Sequence, residues 1–266
     1  MGTLSSASFN AVSAFFHRTS GIRLTAAKQA LVQSRLQRLA LEQGEPDLER
    51  FIQRLVNGHL PEDVQVHVID KLTTNETYFY REPAHFDDLA ARLAARNNDA
   101  EFTVWSAASS SGEEAYSIAM LLADKLGASA WRVFGTDLST HVVATARQGL
   151  YAMDRAETIP QAYLKQFCLR GEGPYEGQFL IDRSIRKRVD FQCANLMREL
   201  PVLPMFDVIF LRNVLIYFEP GPKAQIVRRV ITRLKPQGVL YVGHAESLNG
   251  LGLPLHAVKP AIYEQT

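Results

Sequence analysis

Cysteine is scarce: only Cys168 and Cys193 occur in 266 residues. Two thiols cannot build a disulfide scaffold, and their separation fits no zinc-binding pattern, so no metal is expected. A run of about 18 apolar residues, the minimum for a bilayer span, is also missing. The opening stretch, MGTLSSASFN, lacks the charged-then-apolar order of a secretory signal. The expected setting is therefore the cytoplasm, with no membrane insertion. Neither sign of charge dominates, since 29 Lys and Arg stand against 28 Asp and Glu. That balance argues against a nucleic-acid partner, which calls for a domain-wide basic excess. Two phosphate signatures are absent as well, the G-x-G-x-x-G fingerprint and a Gly-Lys-Ser/Thr loop. No coiled-coil heptads are found, so a monomer is expected.

What is present is an ordinary globular composition, 47% hydrophobic and 21% charged, with a change of texture near residue 73. Before it the pattern is helical. Phe9, Val12, Phe15 and Phe16 recur at helical spacing up to a break at Gly21. Thr25 is placed to cap a helix running to Gln43 and Gly44, Asp47 to cap the next, and Pro61 to sit in the first turn of another. From about residue 100 short β-rich runs alternate with helical ones: Phe102–Ala107, Trp131–Thr136, Arg188–Cys193, Phe206–Leu211 and Val239–Gly243. This alternation predicts an α/β fold with a mostly parallel sheet covered on both faces. The expected organisation is an all-α N-terminal domain (1–72), a linker (73–98) and an α/β domain (99–266). Residues 167–190, rich in Gly and charge, read as a small antiparallel β insert of two or three strands, and Ala261–Glu264 as an edge strand.

In an open α/β sheet, ligands bind beyond the carboxyl ends of the strands. The first strand leads into Ser109-Ser110-Ser111-Gly112-Glu113-Glu114, small residues followed by two carboxylates at a helix start. Those carboxylates would repel a phosphate and suit an ammonium or sulfonium group; the alternative is that they only favour the helix dipole. The second strand ends in Asp137, placed to accept both hydroxyls of a ribose, or else to cap the next helix. A nucleoside with a positive centre and no phosphate describes S-adenosyl-L-methionine.

Further segments carry a resemblance. Thr73-Thr74-Asn75-Glu76-Thr77-Tyr78-Phe79-Tyr80-Arg81-Glu82 resembles the signature of the chemotaxis receptor methyltransferase (CheR) family. So do Trp105-Ser106-Ala107 with Gly112-Glu113-Glu114, and Arg212-Asn213-Val214-Leu215-Ile216-Tyr217-Phe218. Gly243-His244-Ala245-Glu246-Ser247 is similar to the family's Gly-His-Ser-Glu-Ser, departing at Ala245. The resemblance implies a Rossmann-like class I methyltransferase with an inserted β-subdomain and an all-α N-terminal domain. It implies protein-glutamate O-methyltransferase activity on chemoreceptor cytoplasmic helices, with S-adenosyl-L-homocysteine as product. Asn75, Thr77 and Arg81 match residues that reach the cofactor. Glu113 or Glu114 matches the acid holding its methionine end, and Asp137 the ribose acid. Asn195, Leu196, Arg212 and Asn213 match residues around the adenine and sulfonium. Arg81 and Tyr217 match the catalytic side chains nearest the transferred methyl.

A glutamate substrate is already ionised at neutral pH, with a free pKa of about 4.3, so its methylation requires alignment rather than a general base. Lys28, Arg35 and Arg38 fall within about 80° on one helix face. That stripe is the expected contact for acidic receptor helices, its alternative being a solvated face. The segment Gly171–Gly177 resembles the β-subdomain turn of members that tether a C-terminal receptor peptide, its alternative being a hairpin that caps a sheet edge. Two rival functions remain at this stage, a methyltransferase for another substrate and a non-catalytic cofactor-sensing module. The absence of an Asn/Asp-Pro-Pro-Tyr/Phe motif weighs against nucleic-acid amines.

Overall fold

The computed structural model describes residues 4–97 and 100–266; the expected boundary at 98/99 lies outside them. The chain divides into two compact units. One comprises the described residues up to Thr74 together with Tyr217–Pro222, and the other Asn75–Ile216 with Lys223–Thr266.

The first unit is helical: α1 Ser6–Ser20, α2 Gln29–Glu42, α3 Leu48–Val56 and α4 Glu62–Leu72. Ser5 caps α1 by accepting from the Ser8 amide, and Gly21 ends it in the left-handed region at φ 76°. Asp47 caps α3 through the amides of Glu49 and Arg50. Thr25 makes no capping bond; a 3-10 turn, Ala26–Lys28, precedes α2 instead. Pro61 stands at the N-cap of α4. The predicted helical faces meet in one core in which Val12, Phe16, Leu36, Phe51 and Val68 are wholly buried. Burying each such side chain contributes about 1.5–3 kcal/mol.

The second unit opens with α5 Pro83–Ala94 and continues β1 Phe102–Ala107, α6 Glu113–Leu126, β2 Trp131–Asp137, α7 Thr140–Gln148, β3 Leu150–Ala152, α8 Gln161–Phe167, β4 Cys168–Arg170, β5 Gln178–Ile181, α9 Arg183–Arg186, β6 Val189–Cys193, β7 Phe206–Leu211, α10 Pro220–Ile231, β8 Leu234–Val242, β9 Leu255–Lys259 and β10 Ile262–Gln265. The main sheet has seven strands in the order β6-β2-β1-β7-β8-β10-β9. Its first five are parallel, and β1 at the centre is buried along its whole length. This is the Rossmann-like, class I methyltransferase arrangement expected. Two details differ. Ile262–Gln265 is not the edge, because Leu255–Lys259 pairs outside it. The small antiparallel sheet, β3-β5-β4, reaches back to Leu150–Ala152, and the insert ends before Val189, which opens a main-sheet strand as the run Arg188–Cys193 predicts.

Helix α5 is fastened to the antiparallel end of the sheet by one buried carboxylate. Asp88 Oδ2 accepts from Arg92 Nε and from the Tyr241 hydroxyl, each at 2.7 Å, and Oδ1 accepts from Lys259. Burial pushes this carboxyl up, but hydrogen bonds from Lys259, Arg92 and Tyr241 outweigh it and hold its pKa at about 2.

Candidate active site

The loops beyond β1, β2, β6 and β7 carry the predicted residues, and the chain from Asn75 to Glu82 is pinned to them through its backbone. The Asn75 carbonyl accepts from Ser110 Oγ at 2.9 Å and the Thr77 carbonyl from Arg155 at 2.8 Å. The Tyr80 amide donates to Ser117 Oγ at 3.0 Å, while the Arg81 carbonyl accepts from Arg212. The Arg81 side chain is half-buried. Its guanidinium donates to the Glu76 carbonyl at 3.2 Å and lies 5.6 Å from the centre of the Tyr78 ring. An ion pair between Arg81 and Glu82 is not formed, because Glu82 is turned towards Arg212.

Arg212 is the hub. Its side chain is 1% exposed and meets Glu82 and Glu114, 3.0 Å from one carboxylate oxygen of each. Glu82 also accepts from Asn213 Nδ2 at 3.1 Å and from the His244 amide at 3.3 Å. Burial pushes the Glu82 carboxyl up, but hydrogen bonds from Asn213 and Arg212 and the guanidinium charge leave it below the ordinary carboxylate range. Glu114, which also accepts from Ser106 Oγ at 2.6 Å, is raised because burial outweighs Arg212.

The adjacent acids Glu113 and Glu114 face different surroundings. Glu113 is 1% exposed, paired with Arg155 beside the small sheet and accepting from Ser111 Oγ at 2.7 Å. It ties α6 to that sheet, as does Tyr151, whose hydroxyl donates to the Ser111 carbonyl at 2.7 Å. Glu114 alone joins the Arg212 group. Asp137 accepts from the Ser110 amide at 2.8 Å and the Ser139 amide at 3.0 Å. It does not cap α7, a task taken by Ser139. Gly135, two residues earlier, has no room for a side chain: a Cβ there would lie 2.4 Å from the Phe191 ring and 2.9 Å from Ser109 Oγ. Asn195 shapes its own turn, accepting from the Met197 amide at 2.9 Å, with Leu196 buried behind it.

Several residues at this site escaped the sequence reading. Glu246 is buried, and its carboxylate gathers the amides of Gly243, Asn213 and Ile216 at 2.7, 2.9 and 3.1 Å. It thereby fixes the start of the turn Leu215–Tyr217, which explains a Glu in the late motif. Glu82 lies within a quoted motif, but its partners are 130 and 131 positions away. Of seven non-glycine residues with positive φ among the described residues, five belong to these loops: Tyr80, Glu82, Ala108, Ser110 and Asn213, at 50–74°.

In the helical unit, Tyr217 lies under Lys28, whose ammonium is 5.5 Å from the ring centre. The basic stripe is not uniform. Arg35 donates to the Lys71 and Thr73 carbonyls at 2.8 and 3.1 Å, closing the end of α4. Arg38 is exposed and pairs with Glu42 one turn on.

A family model described as CheR methyltransferase, SAM binding domain, matches residues 75–261. A second, described as CheR methyltransferase, all-alpha domain, matches residues 7–73. The chemotaxis protein methyltransferase of Escherichia coli (strain K12) is 39% identical over 251 residues, spanning 93% of this chain and 87% of that protein. Its counterpart in Salmonella typhimurium is 38% identical over 93% and 86% of the two chains, and that of Klebsiella aerogenes 36% identical over 99% and 91%. With the acidic strand-end site and the helical core each inside one matched span, the chain belongs to the CheR methyltransferase family, and its cofactor is S-adenosylmethionine.

Proposed function

We propose that this protein transfers a methyl group from S-adenosylmethionine to the side-chain carboxylate of particular glutamates on chemoreceptor cytoplasmic helices, leaving glutamyl methyl esters. The supporting observation is the match of both family models, in order, to a chain whose relatives are chemotaxis methyltransferases along most of their length. Bound S-adenosylmethionine supplies a methyl group on a sulfonium leaving group. The donor set at the strand ends fits it, being made of carboxylates and amides. Glu114 takes the ammonium of the methionine end, whereas Glu113 serves the fold. Asp137 takes the ribose hydroxyls, at the end of β2 where the loop after β1 meets it. Asn195 and Leu196 flank the base, and Asn75 and Thr77 line the approach. Arg212 and Asn213 act by holding Glu114 and Glu82 in place. Arg81 orients the substrate carboxylate through charge-assisted hydrogen bonds, and Tyr217 steadies it through its hydroxyl. No general base is required, because a carboxylate is the nucleophile at neutral pH. Receptor recognition falls to the helical unit (1–72), through Lys28 and Arg38 more than Arg35. The exposed edge of β4 offers a tether for a C-terminal receptor peptide by strand addition, raising effective concentration without altering the chemistry. The protein works as a monomer in the cytoplasm.

The test is transfer of labelled methyl to a purified receptor cytoplasmic fragment, followed by mild alkali. Label released as methanol is the expected result, and Arg81→Ala abolishes it. Alkali-stable label points to an amine and overturns the assignment. Tight cofactor binding with no labelled receptor would make the chain a sensing module instead.

A further inference from the structure

Beside the Arg212 hub, and sharing Glu82 with it, lies a cluster whose two histidines have no part in the transfer reaction. His85, in the first turn of α5, has a side chain only 1% exposed, yet neither of its ring nitrogens has a hydrogen-bond partner among the described residues. Its Nδ1 stands 3.5 Å from Glu82 Oε2. The His244 ring is edge-on to it, 4.6 Å between centres. One donor atom from each of Glu82, His85 and His244 lies within 4.8 Å of the others. A buried polar group left unpaired costs about 1–3 kcal/mol, so a buried ring with no hydrogen bond, set beside a carboxylate and a second imidazole, asks for an occupant.

We propose that Glu82, His85 and His244 form a site for a divalent transition metal of the zinc class, and that its occupation opposes cofactor binding. Two imidazoles and one carboxylate are the donors that suit zinc and its neighbours, and water would complete a four-coordinate shell. Calcium and magnesium, which want a shell of oxygens, are poorly served. The charge balance permits a dication, because Glu82 and Glu114 against Arg212 leave one net negative charge. His244 is exposed and provides the entry. The second oxygen of Glu82 is held by Asn213, the outer-shell support such ligands use. The antagonism rests on the proposed cofactor site: a metal on Glu82 Oε2 competes with Arg212 for that oxygen and drives the guanidinium onto Glu114, the carboxylate that takes the cofactor's ammonium. Linkage then requires that the cofactor weaken the metal by the same factor. No linear zinc motif announces these ligands, since two lie three residues apart and the third far along the chain.

The experiment uses full-length, untagged, chelator-treated protein titrated with Co2+ as a spectroscopic stand-in for Zn2+. One equivalent producing the intense visible band of tetrahedral cobalt, displaced by Zn2+, is expected. His244→Ala, at an exposed position, and His85→Gln should each remove that band. Absence of the band, or a band unchanged in the well-folded His244→Ala protein, overturns the site. In the second arm, saturating S-adenosylmethionine should weaken Co2+ binding about tenfold, and an unchanged affinity overturns the antagonism. Cofactor affinity measured by calorimetry in metal-free buffer separates failure of the metal site from failure of the cofactor reading.

Discussion

Replacing Arg212 by Met should be among the most damaging single changes in the larger unit. The guanidinium is almost wholly buried between two carboxylates, each 3.0 Å away and 14–15% exposed, and it also satisfies the Arg81 carbonyl. Methionine keeps much of the volume, so the loss is electrostatic. Breaking a buried ion pair from one side costs about 3–5 kcal/mol, because the partner charge is left without compensation. Here two partners are stranded and repel each other, which places the expected loss at the upper end of that range, about 5 kcal/mol. At roughly 2–4 °C per kcal/mol for a protein of this size, the midpoint should fall by more than about 10 °C. Urea unfolding followed by circular dichroism gives the free energy directly. The reasoning also predicts repair: adding Glu82→Gln and Glu114→Gln to Arg212→Met should recover a large part of the loss. A single-variant loss below about 1 kcal/mol, or no recovery in the triple variant, would refute it.

The adjacent acids should separate by readout. Glu114→Gln should weaken S-adenosylmethionine binding at least about tenfold, equal to about 1.4 kcal/mol, and should also lower the unfolding midpoint, since the buried Arg212 then keeps only Glu82. Glu113→Gln should lower stability by stranding Arg155 while leaving cofactor affinity unchanged; a weakened affinity in Glu113→Gln beside an unchanged one in Glu114→Gln would transfer the cofactor role to Glu113. Gly135→Ala drives a methyl into the Phe191 ring and should cost about 1–3 kcal/mol, and a neutral result in urea unfolding would show that β6 gives way. For Asp88 the folded pKa lies at about 2, below its ordinary 3.8. Its contribution is therefore complete above pH 3.8 and lost as pH falls through about 2, a change of about 2 kcal/mol. Asp88→Asn should be less stable than the parent at neutral pH and converge with it near pH 2; parallel curves over that span would exclude the network.

The helical core and the central strands are legible in the sequence because they are written in strong local signals. Phe9, Val12 and Phe16 recur with the helix period, Asp47 caps, and apolar runs such as Phe206–Leu211 are long enough to name a buried strand. Leu255–Lys259 and Leu150–Ala152 are not legible, because a strand with largely exposed side chains and one of only three residues owe their existence to a neighbour rather than to their own pattern. At the site, the rule that ligands gather beyond strand ends singled out Asp137 and the Gly112–Glu114 turn as candidates, and the loop before that turn does meet Asp137 through the Ser110 amide. The rule could not choose between Glu113 and Glu114, since neighbours on a helix point about 100° apart and the phase is set by Arg155 and Arg212. Glu82, His85 and His244 stayed hidden for a related reason. Their meeting depends on a left-handed turn at Glu82 and on chain segments more than 150 residues apart.

The five left-handed residues around the site have a thermal consequence. Each non-glycine residue in that conformation costs about 1 kcal/mol or more, and holds it only while the surrounding contacts insist. Tyr80, Glu82, Ala108, Ser110 and Asn213 therefore form a set of springs at one end of an otherwise relaxed sheet. On warming, these loops should let go before β1 and its neighbours do, so cofactor affinity should fade several degrees below the temperature at which the protein melts.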